Sequence, residues 1–348
     1  MPSFTEMRDR IGYTQSELAM KSGVRQETIS RIEKGRKPQA RTLKKLAKAL
    51  KVSESAILEA VAEASKKTAN RSISTAWTFL KGLDPDYQKG CLEGLILKWT
   101  HGSTGLEGNT LTEGDTQLIL SQGLTISGKS LREHQEVHGH AEAIKLMEMW
   151  AKQPSNLSIA RLHELHRAVQ TGIVIDIYAP VGSFKVEANG TQAIQSQGSS
   201  VWHEYAEPIH VNELIKVWLQ DLKMTLSSLP SKPNNRDLVK AYSTTHLGFT
   251  SIHPYADGNG RIARLLANLP MLESGKPPLT INPKKRKNYM TLMGDYTLAR
   301  GLVLPDDPLV MEGPEKIALE EFFLDEWKSS LDLLAEFRQR QNKRDSSQ

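Results

Sequence analysis

Apolar residues recur three and four positions apart along most of this 348-residue chain, a spacing that lines one face of an α-helix. Near the N-terminus Leu18, Ala19, Val24, Ile29, Ile32, Leu43, Leu46 and Leu50 follow it, and the small Ala19 lets a third helix approach the second. Ile262, Leu265, Leu266 and Leu269 follow it again. Two patches break the pattern. Residues 173–186, IVIDIYAPVGSFKV, are β-branched with a Pro and a Gly and read as a short hairpin or flap, and residues 189–200, rich in Gly, Ser and Gln, read as an exposed loop. The predicted fold class is therefore mainly α, with one short β-hairpin.

The first 50 residues divide into helices over about 4–10, 14–21, 25–33 and 40–50. Thr14 precedes Glu17 by three, the spacing of an N-terminal capping box, and Gly23 supplies a left-handed turn between the second and third helices. The string TQSELAMKSGVRQETISRIEKGRKP resembles the phage-repressor-like helix-turn-helix family over about residues 5–60. That resemblance implies binding to double-stranded DNA, with the helix beginning at Arg25 in the major groove and Gln26, Glu27, Thr28 and Arg31 on its exposed side. Gln pairs with adenine and Arg with guanine, while Gln15 is placed to touch the backbone. Charge agrees: residues 1–67 hold 15 Lys and Arg against 8 Asp and Glu, whereas the whole chain carries only +5.

A chain of this length exceeds one ordinary domain. It has no run of 18 apolar residues, and MPSFTEMRDR lacks the apolar stretch of a secretion signal, so a cytoplasmic protein without a membrane partner is expected. Cys91 is the only cysteine, which excludes an intramolecular disulfide. The expected division is a DNA-binding domain over 1–67, a linker over 68–84 announced by the polar run KKTANRSIST at 66–75, a second domain over 85–338, and a disordered tail over 339–348.

Chemistry concentrates in IHPYADGNGRIARLLAN, residues 252–268. Gly258 and Gly260 allow consecutive backbone N–H groups to face one concavity, and the apolar period that follows starts a helix there. An N–H nest at a helix N-terminus attracts anions. Arg261 and Arg264 lie three apart on that helix, close enough to hold adjacent phosphoryl groups. Asp257 can give one oxygen to Mg²⁺, which binds one or two carboxylates together with substrate phosphates. His253 is the one good general base in the segment. Together these residues point to nucleotide phosphoryl chemistry.

The same residues match the motif HxFx(D/E)GNGRxxR, with Tyr255 in place of Phe, and the chain resembles the Fic family from about residue 85 to 330. Fic proteins are largely helical and typically transfer AMP from ATP to a protein hydroxyl. The resemblance implies that His253 deprotonates a Tyr, Ser or Thr hydroxyl of a target, which can be the protein itself, and that Asp257 holds Mg²⁺. Gly258, Asn259 and Gly260 then form the anion hole, and Arg261 and Arg264 hold the phosphates. A phosphate-transferring branch carries Lys where this chain has Gly260, so Gly favours AMP transfer. The resemblance also places Gly182, Ser183, Phe184 and Lys185 in a flap that clamps the target. It puts Tyr289 in the adenine pocket, although an ordinary core tyrosine explains that residue equally well.

Upstream, HGSTGLEGNTLT includes Ser103, Glu107 and Gly108 in a spacing that resembles the inhibitory motif of autoinhibited Fic proteins. In such relatives the glutamate pairs with the second motif arginine, here Arg264. Two alternatives accompany the AMP-transfer reading: a transcription regulator that uses the domain as a nucleotide or partner sensor, and an enzyme that removes AMP. A homodimer is a further possible partner.

Overall fold

The N-terminal helices begin where short polar side chains can cap them. In the computed structural model, which describes residues 3–33, 36–71, 77–151, 157–171 and 179–346, Ser3 caps α1 (Phe4–Asp9) and Thr14 caps α2 (Gln15–Ser22). Each forms a reciprocal capping box, Thr14 with Glu17 and Ser3 with Glu6, which satisfies backbone donors that the first turn leaves open. Gly23 ends α2 at φ 62°, and α3 (Gln26–Glu33), α4 (Ala40–Leu50) and α5 (Glu54–Arg71) follow. Leu18, Ile29, Ile32, Leu46 and Leu50 are nearly or fully buried in one core.

The chain divides into two compact units, Met1–Ser74 and Thr75–Gln348. The second is also helical: α6 (Pro85–Leu106), α7 (Glu113–Gln122), α8 (Leu131–Trp150), α9 (Ile159–Val169), α10 (Pro208–Ser228), α11 (Asn235–Ile252), α12 (Asn259–Leu266), α13 (Leu269–Glu273), α14 (Arg286–Arg300) and α15 (Pro314–Asp345). α11 is buried on nearly every side and packs against α10, α12, α13 and α15, as expected of a helix at the centre of a large core. Pro254 stops it, and His253 closes it in the left-handed region at φ 52°. Among the described residues no helix is long and apolar enough to cross a membrane.

One antiparallel pair, β1 (Gly190–Ile194) and β2 (Ser200–Glu204), is in register from Gly190 opposite Glu204 to Ile194 opposite Ser200. Its backbone lies directly on α14, because a β-carbon at Gly294 would collide with the Ile194 carbonyl. This hairpin falls where the sequence suggested an exposed loop. Few of its side chains are buried, so alternation is weak. Of the expected flap, residues 173–178 lie outside the described residues, and 179–186 form turns and bends without a strand.

The expected linker differs as well. α5 continues to Arg71, 72–76 lie outside the described residues, and Trp77, Phe79, Leu80 and Leu83 are buried in the core of the second unit. The expected disordered tail is helical through Asp345, and Arg344 pairs with Asp84 and with Asp86 at 2.9 Å while stacking on Tyr87. Polar composition alone did not show that this segment has a surface to lie against.

Candidate active site

The loop between α11 and α12 is held by its own polar residues. Buried Asn259 accepts from the Tyr255 N–H at 2.9 Å and donates to the Tyr255 carbonyl at 2.7 Å. Its side chain therefore braces the loop, which leaves only its backbone for an anion. Tyr255 is fully buried with its hydroxyl 3.2 Å from His163 Nδ1. Gly258 adopts φ 83° and caps α12. Asp257 accepts from the Gly258 N–H at 2.6 Å and from Arg261 at 3.2 Å. Burial alone pushes the Asp257 carboxyl upward, but Arg261 and the other donors outweigh it and hold the pKa below the usual carboxylate value.

His253, Asp257, Gly258, Asn259, Gly260 and Arg264 line one cavity of about 240 Å³, which Glu107, Tyr205, Tyr289, β1 and one face of α14 complete. The His253 ring stacks on Tyr205 with centroids 3.9 Å apart. Burial first, and then the charge of Lys185, push its pKa down to about 3, so it is a neutral imidazole near pH 7. Its positive φ, shared only with Lys51 among described non-glycine residues, is a cost that functional positions often carry.

The two arginines have different surroundings. Arg264 is 4% exposed, donates to Ser103 Oγ at 3.1 Å and to the Ser103 carbonyl at 2.9 Å, and pairs with Glu107 at 2.5 Å. Burial works against its charge, but Glu107 outweighs that effect and raises its pKa. Gly260 makes room for this pair, since a β-carbon there would collide with Glu107 Oε1. Gly108 turns the chain at φ 101° just after α6. Arg261 does not line the cavity. It is 1% exposed, bonds Asp257, lies 4.0 Å from Glu136, and has no hydrogen-bond partner for Nε or Nη1 among the described residues. In this structure it supports Asp257.

Tyr289 is both core and cavity wall: it is buried, its hydroxyl lies 3.0 Å from His246 Nε2, and its ring faces the Arg264 guanidinium at 5.9 Å. The expected flap residues brace the loop and form no strand edge. Gly182 N–H donates to His166 and Phe184 packs on His163 and Tyr255. Buried Lys185 donates its N–H to Pro254 O at 2.9 Å and its Nζ to Asn189 at 2.5 Å, and Ser183 is exposed. Burial lowers the Lys185 pKa to about 8. Sequence reading missed Tyr205, Asn189, whose amide donates to Tyr255 O at 2.9 Å, and Arg286, which donates to Leu106 O at 2.8 Å at the end of α6. No local pattern marks them, because each meets the site only through the fold. His134 uses both ring nitrogens on the backbone of Ile126 and Ser130.

In the first unit Arg25, Gln26, Glu27 and Arg31 are exposed and Thr28 is half-buried. Arg31 pairs with Glu27, and Gln26 accepts from Ser16 at 3.1 Å. The Gln15 amide donates to Glu33, which also pairs with Arg8 at 2.8 Å. A cleft beside Thr28 and Arg31 brings in Arg36, Lys37, Gln39 and Thr42, which extends the basic face beyond α3.

Comparison with known proteins places this geometry. Residues 156–271 match the Fic/DOC family and residues 5–57 match a helix-turn-helix family. Protein adenylyltransferase fic-1 of Caenorhabditis elegans is 32% identical over 193 residues, covering 55% of this chain and 34% of that protein. Protein adenylyltransferase Fic of Drosophila willistoni is 30% identical over 196 residues, covering 54% and 34%. The chain thus spans about a third of the length of these relatives. A Fic domain containing signaling protein from Bacteroides thetaiotaomicron superposes with a TM-score of 0.63 at 25% identity, over 78% of this chain and 95% of that one.

Proposed function

From the premise that this chain carries a Fic/DOC-family domain behind a helix-turn-helix domain, we propose that it is a protein adenylyltransferase held in check by Glu107 and tied to DNA by its first unit. The observation that carries this reading is the single cavity shared by a neutral histidine, the N-terminal turn of α12 and an arginine already holding a carboxylate. His253 takes the proton of a target Tyr, Ser or Thr hydroxyl. The oxygen bonds to the α-phosphorus of ATP, the bond to the pyrophosphate oxygen breaks, and AMP remains on the target. The N–H groups at the start of α12 face the growing negative charge, and Arg264 holds the outer phosphates.

Mg²⁺ fits this donor set. Asp257 offers one carboxylate at the cavity wall, with a side chain 53% exposed, and Mg²⁺ takes few protein oxygens when phosphates supply the rest. Asp257 would hold the ion, which neutralises phosphate charge. Arg261 and Arg132, whose Nη2 lies 3.4 Å from Asp257, orient the carboxylate.

Glu107 competes with the triphosphate for Arg264, so the resting chain is a restrained enzyme. The first unit brings the protein to double-stranded DNA and thereby to transcription. Incubation with ATP labelled on the α-phosphate tests the reading: label should pass to protein and disappear with His253→Ala. ATP binding without transfer, even in Glu107→Gly, would instead favour a nucleotide sensor.

A further inference from the structure

His166, on α9, lies outside the HPYADGNGR loop yet contacts it twice. Its Nε2 is 3.1 Å from the Asp257 carbonyl oxygen, and its ring stacks on Tyr255 with centroids 3.9 Å apart and planes at 13°. Nδ1 accepts the Gly182 N–H at 2.9 Å. The residue is 1% exposed. A carbonyl oxygen only accepts and a backbone N–H only donates, so both bonds form together only when the imidazole is neutral and its proton is on Nε2.

The consequence lies in the peptide between Asp257 and Gly258. A trans peptide is planar, with carbonyl and N–H on opposite sides. Turning the Asp257 carbonyl toward α9 turns the Gly258 N–H the other way, where it meets Asp257 Oδ1 at 2.6 Å. A flipped peptide would put a carbonyl oxygen where that N–H now meets the Asp257 carboxylate, and would repel the carboxylate from its place at the cavity wall. Gln170, one turn beyond His166, lies against the same peptide, 3.1 Å from where a Gly258 β-carbon would stand.

We propose that His166 is a positioning residue: a neutral imidazole that locks the Asp257–Gly258 peptide so that the Gly258 N–H holds the Asp257 carboxylate in place, and that ties this peptide to the turn at Gly182. The proposal rests on the reading of Asp257 and Gly258–Gly260 as the site for Mg²⁺ and the ATP phosphates.

Three variants of the full chain separate hydrogen bonding from packing. His166→Phe keeps a ring on Tyr255 and loses both hydrogen bonds, His166→Gln returns a donor for Asp257 O, and His166→Asn returns only an acceptor for Gly182. ATP affinity is measured calorimetrically with Mg²⁺ present, alongside the thermal midpoint and AMP transfer. Loss of a residue that orients a binding group typically costs about 10–100-fold. His166→Phe should therefore weaken ATP binding by about 10-fold with its thermal midpoint nearly unchanged, and Gln should recover most of the loss while Asn does not. Histidine ¹H–¹⁵N spectra of the wild type at pH 7 should show His166 protonated at Nε2 alone, a result independent of whether any variant folds. Wild-type affinity in His166→Phe, equal rescue by Gln and Asn, or a proton on Nδ1 would overturn the proposal. Failure of the wild type itself to bind ATP would instead overturn the phosphate-site reading beneath it.

Discussion

Helices α3 and α12 are both 8 residues long and carry Arg with Gln or Asn, yet they treat their charges in opposite ways. α3 buries Ile29 and Ile32 and leaves Arg31, Glu27 and Gln26 in water. α12 buries Asn259, Arg261 and Arg264 along with its apolar residues. An exposed pair such as Arg31–Glu27 is worth little, about 0–1 kcal/mol, and yields easily to a ligand. A guanidinium taken out of water must keep a partner, so Arg264 already holds Glu107 and Ser103. The polar face of α3 is open to water, whereas the cleft is neutralised in advance and any anion that enters it must displace Glu107.

The contrast is broken most severely at His253, which belongs to the cleft but carries no permanent charge. Proton abstraction by a placed side chain contributes roughly 10²–10⁴-fold. His253→Ala should lose that much AMP transfer while ATP affinity stays within a few-fold, measured with α-labelled ATP. Full transfer in this variant would exclude His253 as the base. On the open helix, Arg31→Ala should weaken the preferred DNA site by about 1–3 kcal/mol if Arg31 reads a base. Binding should also fall steeply with salt as counterions are released, and salt-insensitive binding would remove the argument from phosphate contacts.

Glu107→Gly tests whether the cleft is neutralised in advance. Transfer should rise by about 10-fold or more, equivalent to roughly 1.4 kcal/mol, and adding Arg264→Ala should abolish the gain because both residues act through one contact. Equal activity in wild type and Glu107→Gly would mean that the pair is only structural. The smallest effect concerns pH. A base acts in its deprotonated form, and the His253 pKa, lowered by burial and then by Lys185, is about 3. Its active form persists as pH falls from 7.5 to 5.5, so transfer by Glu107→Gly should change by less than about two-fold over that interval. A decline centred near the ordinary histidine pKa would show that His253 titrates as if exposed.

Much of this arrangement was legible in advance. The Thr14–Glu17 box, the left-handed Gly23 and the apolar spacing of Leu18, Ile29 and Ile32 act within a few residues, so composition and order suffice to read them. The approach of His253, Gly258, Gly260 and Arg264 was equally readable, because a turn and one helical turn hold them together in sequence.

Tertiary structure decided the rest. Family resemblance pointed to Glu107 beside Arg264, but nothing in the order of residues put Glu136 on α8 on the side of Arg261 or turned Arg261 toward Asp257 and away from the cavity. The hairpin is marked less by its own alternation than by Gly294 on α14, about a hundred residues further along. The C-terminal residues form a helix against Asp84, Asp86 and Tyr87, and His166 meets Asp257 across 91 positions. Helix spacing and caps are set by neighbours along the chain and can be read there. Which side chain meets a charge, a carbonyl or a glycine from a distant element is set by packing, and no local pattern records it.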